Sequence, residues 1–90
     1  MKYTKLVEEV NRILTEEWDP IGVFHMCDDK AIAYTEYSNY AKGIAKMLRD
    51  NAHCSKIEEY LIMLREKHIG LGADREADHV VACKLMKLAN

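Results

Sequence analysis

The chain has 90 residues, 49% hydrophobic and 31% charged, with 13 basic and 15 acidic side chains and a net charge of −2. That is enough chain for one modest core without a disulfide or metal staple, and too even a charge balance for the broad basic face a nucleic-acid backbone requires. Nothing approaches the ~20 apolar residues of a membrane span, and Glu8 and Glu9 interrupt the apolar run a secretory signal needs, so neither membrane nor export is expected.

The first predicted element covers residues 4–17, where Leu6, Val7, Val10, Ile13 and Leu14 recur at three- and four-residue steps and share one face. It ends in EEWDPIGV, which holds the only tryptophan and the only proline side by side. Proline disfavours a helical conformation in the residue before it, so the helix must stop close to Trp18. Asp19, Pro20 and Gly22 occupy the positions that a type I turn over Asp19-Pro20-Ile21-Gly22 prefers. The reading is a structural corner, with Trp18 plugging the end of the core and its indole N–H meeting a carbonyl. A catalytic Asp19 lacks a second polar partner in the sequence.

Residues 18–34 are too apolar for a linker. Trp18, Ile21, Val23, Phe24, Met26, Ile32 and Tyr34 all call for cover, which predicts a long ordered loop with room for one helical turn. The second helix is predicted over 35–50, with Thr35 as its N-terminal cap and Tyr37, Tyr40, Ala41, Ile44, Ala45 and Leu48 facing inward. Gly43 inside it costs about 1 kcal/mol against alanine. The third begins at SKIE, where Ser55 and Glu58 have the spacing of a capping box; Ile57, Leu61 and Leu64 face the core and Gly70 is the stop. The fourth runs from about Asp74 to Leu88 with Ala77, Val80, Val81, Leu85 and Leu88 buried. The extra apolar width at Ile62, Met63 and VVAC means deeper burial or a partner surface. Four such helices on short connections imply an all-α fold, a compact four-helix arrangement forming a single helical domain over residues 1–90.

EWDPIGV, followed by Glu36, Tyr37 and Tyr40 in an EYxxY segment and by the Ile69, Gly70, Leu71 ending, resembles the YugE-like family of small bacterial helical proteins. The resemblance covers roughly residues 14–71. It implies an all-helical bacterial cytosolic protein and carries no catalytic residues. Thr35 and Ser38 stand where that segment is usually acidic.

Cys27, Cys54 and Cys83 are odd in number and lack a CxxC pair, which fits free thiols in a reducing cytoplasm. His25 and Cys27, with Asp28 and Asp29 beside them, and His79 and Cys83, four apart on one helical face, are the one set that could make a four-ligand zinc site or a small enzyme. Cysteine is equally a small buried hydrophobe, and the expectation is no metal and no cofactor. His53 beside Cys54 suggests a thiol and its base, but neighbours in sequence point apart. Tyr34, Tyr37 and Tyr40 with Met47 could line a ligand groove; at helical spacing they read as core. No nucleotide-binding glycine motif is present.

Charge is unevenly spread: residues 1–40 hold four basic and eight acidic residues, and residues 41–90 nine and seven. Glu16, Glu17, Asp19, Asp28, Asp29 and Glu36 gather around the corner, with Lys30 the opposing charge. They are a solvated rim or a docking surface for a basic protein. The functional expectation is a non-catalytic protein-interaction module, self-association included. One form of it is an immunity- or antitoxin-like protein that masks a basic toxin.

Overall fold

The structure is a computed structural model that describes residues 2–19, 28–68, 70 and 74–88. Helix α1 spans Tyr3–Ile13 and continues into a π-helical turn, π1, over Leu14–Trp18. A one-turn helix α2, Lys30–Ala33, precedes α3, Ser38–Arg49. Helix α4, Cys54–Met63, likewise runs into a π turn, π2, over Leu64–His68, and α5 covers Arg75–Leu88. Among the described residues there is no strand, so the fold is all-α. Among the described residues it has five α-helices, four long ones and the single turn α2, which forms in the connection between the first two long helices around Asp29, whose Oδ1 accepts the Ala31 N–H at 3.0 Å.

Packing follows the apolar stripes. Leu6, Val10, Ile13 and Leu14 of the first segment meet Ala41, Ile44, Ala45 and Leu48 of α3; Ile57, Leu61 and Leu64 meet Val81, Ala82 and Leu85 of α5. The two helix pairs join where α5 packs on α1 and on π1. The radius of gyration, 12.2 Å, equals that of a well-packed globule of this length, about 12 Å.

Several local expectations are corrected. Thr35 does not cap α3: its hydroxyl donates to the Ile32 carbonyl at 2.7 Å in the preceding turn, and Tyr37 occupies the cap position, its side chain making no capping bond. Ser55 and Glu58 form no capping box, because α4 starts one residue earlier, at Cys54, which puts Ser55 inside the helix and leaves His53 at its boundary. Asp74 does cap α5, accepting the Ala77 N–H at 3.1 Å. Val80 is 49% exposed rather than buried, because the inner stripe of α5 passes through Asp78, Val81, Ala82 and Leu85. Ile32 is 60% exposed, and Ala33 is the residue of α2 that turns inward. Gly70 has φ +82°, a backbone that glycine adopts without steric cost, as its role as a stop requires.

Candidate functional site

The corner is built around a carboxylate that the apolar pattern concealed. Trp18, at the end of π1, is buried, and its Nε1–H donates to Asp78 Oδ1 of α5 at 2.7 Å. Arg65, from π2, donates to the same carboxylate through Nη2 at 2.7 Å and Nε at 3.3 Å. Its guanidinium carbon lies 5.8 Å from the Trp18 ring centroid. Asp78 is fully buried, so two donors and one full positive charge replace the water it has lost. The indole therefore meets a side-chain carboxylate where a carbonyl was expected. Tyr37, fully buried, packs edge-on against Trp18 with ring centroids 5.6 Å apart, and stacks on Tyr40 at 6.4 Å. Together with Met47, which packs against the cluster, Tyr37 and Tyr40 belong to the core.

Helix one stops at Trp18, as the proline demands. Asp19 leaves it through the left-handed region, φ +29°, rather than through extended backbone, while its N–H bonds the Leu14 carbonyl five residues back at 2.8 Å. Its Oδ1 accepts the Tyr37 hydroxyl at 2.8 Å. Pro20, Ile21 and Gly22, and with them the expected type I turn, lie outside the described residues, as do Val23, Phe24 and Met26.

The acidic residues are mostly engaged with the fold. Glu16 accepts the Tyr34 hydroxyl at 2.6 Å and lies 3.8 Å from Arg12. That bond to Glu16, followed by desolvation, holds the Tyr34 phenol above its ordinary value. Glu17 pairs with Lys84 of α5. Arg12, raised above its usual value chiefly by its hydrogen bond to Glu9, adds a second opposing charge beside Glu16. Asp29 caps α2, while Asp28 and Glu36 are exposed.

Of the metal-ligand candidates, His79 and Cys83 come together and His25 and Cys27 lie outside the described residues. Cys83 Sγ is 3.6 Å from His79 Nε2, and His79 Nδ1 is 2.5 Å from Glu58 Oε1 of α4. Cys54, the first residue of α4, neighbours Cys83; desolvation first, and then the Cys83 side chain, push its thiol up. Among the described residues no group of three or more His, Cys, Asp or Glu is arranged to hold a metal ion.

A groove opens along α5, floored by Ala77, Val80 and Val81 and rimmed by Glu17, Asp74, Glu76 and Lys84, the lysine paired with Glu17. Sequence reasoning missed Asp78, Arg65 and the partner role of Glu58. The first was legible: Asp78, Val81 and Leu85 share one helical face, so an acid stood on a buried stripe. Arg65 and Glu58 carried no such mark, since only the packing of α4 on α5 selects them. No helix is long and apolar enough to cross a membrane among the described residues. Compared with known proteins, the chain matches no family model, no curated protein and no solved structure.

Proposed function

We propose that this chain is a small protein-interaction module of the bacterial cytoplasm, built on four long helices and one long ordered loop, whose recognition surface is the acid-rimmed groove of α5 and the adjoining corner. The reading rests on Val80. A branched aliphatic residue in mid-helix, 49% exposed and set among Glu17, Asp74, Glu76 and Lys84, adds little to the core and offers a partner an apolar contact inside a rim of three acids and one lysine, the lysine already paired with Glu17. The occupant this chemistry fits is a basic amphipathic segment of another protein, whose apolar face would cover Val80 while its lysines or arginines meet the rim. Masking of a basic toxin is one form of that activity. Asp28 and Glu36 extend the negative field towards the corner, and the resemblance of EWDPIGV to the YugE-like family accords with a helical protein that carries no catalytic residues.

The test compares wild-type protein with Val80→Asp and Glu76→Lys as baits in native cytosol at low and moderate salt. A basic protein held by the wild type, released as salt rises and lost with both variants while their melting temperatures stay unchanged, is the expected result. Equal capture by all three baits would refute the groove.

A further inference from the structure

The interaction reading leaves one constellation unused, on the flank of α5 that borders α4. Glu58 from α4 and His79 and Cys83 from α5 stand in a chain: carboxylate to Nδ1 at 2.5 Å, Nε2 to sulfur at 3.6 Å. A carboxylate can only accept, so Nδ1 carries the proton and Nε2 presents its lone pair to the thiol. His79 and Cys83 are one helical turn apart, which sets ring and sulfur on the same face without distorting the helix. The His79 side chain is 62% exposed and Cys83 is half-buried, so a small reagent reaches the sulfur from water. Cys54 stands one turn before Glu58 on α4 as Cys83 stands one turn after His79 on α5, so the Glu58–His79 contact between the two helices sets the cysteines beside one another, and Cys54 is itself half-buried. The titratable groups at this face are thus Cys54 and Glu58 of α4 and His79 and Cys83 of α5.

We propose that Cys83 is a redox-reactive thiol that takes small hydroperoxides, with His79 as its base, Glu58 as the residue that positions His79, and Cys54 as the resolving thiol. In the first step the Cys83 proton passes to His79 Nε2 and the thiolate attacks the outer peroxide oxygen. An S–O bond forms as the O–O bond breaks, and the departing oxygen takes the proton back from His79 and leaves as water or an alcohol. The sulfur is oxidised to a sulfenic acid and the peroxide is reduced. In the second step the Cys54 sulfur displaces the hydroxyl from Cys83; the S–S bond forms, the S–O bond breaks, and Cys54's proton leaves with the hydroxyl as water. The result is a disulfide clamping the start of α4 to α5. Desolvation favours the protonated form of Cys54, which suits the thiol that waits rather than the one that attacks first.

Trypsin separates the two sites, since Cys54 lies between Arg49 and Lys56 and Cys83 between Arg75 and Lys84. Full-length protein treated with one equivalent of hydrogen peroxide is expected to yield those two peptides joined by a disulfide. Cys54→Ser protein should instead yield Cys83 sulfenic acid, trapped by a 1,3-dione. In folded protein at neutral pH, iodoacetamide should alkylate Cys83 at least about tenfold faster than Cys54, a modest share of what a positioned base supplies. His79→Gln, a change at an exposed side chain, should abolish that advantage, as should unfolding in urea. Glu58→Gln should lower the Cys83 rate and leave that of Cys54 alone, and Glu58→Asp should restore part of it. A Cys83 rate no higher than that of Cys54, or one unchanged by His79→Gln, overturns the activated thiol. Peroxide that drives Cys83 to sulfinic acid with no link to Cys54 overturns the resolving role.

Discussion

At the scale of single residues, two positions run against ordinary preference. Thr15 is fully buried in π1, and its hydroxyl has no hydrogen-bond partner among the described residues. Thr15→Val removes a desolvated polar atom at nearly constant volume and should raise stability by about 1 kcal/mol, measured by urea titration. Gly43 sits in the middle of α3, where alanine would normally gain about 1 kcal/mol. A Cβ there would lie 2.9 Å from the Tyr60 hydroxyl, so Gly43→Ala should show no gain in the wild-type background. In a Tyr60→Phe background the obstructing oxygen is gone and the gain should appear, a non-additivity that a double-mutant cycle reads directly. Burial, and secondarily Tyr40, hold the Tyr60 phenol above its ordinary value of 10.0. With the folded value raised, the stabilisation is fully present below pH 10.0 and is lost as pH climbs through the folded value. Denaturation midpoints should therefore decline as pH climbs above 10.0, and decline less in Tyr60→Phe.

At the scale of elements, the two π turns share a task. Each ends a core helix, and each delivers one side chain to Asp78: π1 brings Trp18 and π2 brings Arg65. Three segments distant in sequence are thereby joined at one carboxylate. Asp78→Ala leaves a guanidinium buried without its charge partner and an indole N–H without its acceptor, and should cost about 3–5 kcal/mol. Replacing both charges, Arg65→Met with Asp78→Leu, should recover most of that loss, because two desolvated ions give way to apolar packing. Trp18→Ala should cost about 3–5 kcal/mol as the deletion of a large buried aromatic, whereas Trp18→Phe forfeits chiefly the bond to the carboxylate, about 1.5–3 kcal/mol. Urea titration followed by circular dichroism separates these variants. Indole emission typical of exposed tryptophan in the native wild type would contradict the plug.

At the scale of the whole molecule, exposed acids around the corner and groove would act on encounter with a basic partner more than on stability, since exposed charges are individually worth ~0–1 kcal/mol. The acids differ in what else they do. Asp28 is exposed, so Asp28→Lys should leave the melting temperature unchanged while slowing association with a basic partner, and the difference should shrink as salt rises. Asp29 caps α2, so Asp29→Lys should also lose the capping bond, a cost of about 0.5–2 kcal/mol that local hydrogen exchange in α2 would detect. Calorimetry and stopped-flow association on the two variants would distinguish a docking surface from a rim. Equal association rates for wild type and Asp28→Lys would reduce the rim to solvation.

Periodicity alone determined that the chain is helical and which faces of α1, α3 and α4 are apolar, because a 3.6-residue stripe is a local property that survives without knowledge of neighbours. The stop at Trp18 was equally local, imposed by the ring of Pro20 on the residue before it. The caps were misread because Thr35 and Ser55 have the right chemistry at positions where their helices do not begin: α3 starts at Ser38 and α4 at Cys54. Val80 and Asp78 exchanged the roles that hydropathy assigns them. Two residues apart on one helix, they differ by 200° in direction, and only the arrival of Arg65 and Trp18 from two other elements made the inward position one where an acid is satisfied and a valine is not needed. The same holds for the thiol face. Spacing placed His79 over Cys83, but which residues would complete the set depended on α4 packing against α5, and that brought Glu58 and Cys54.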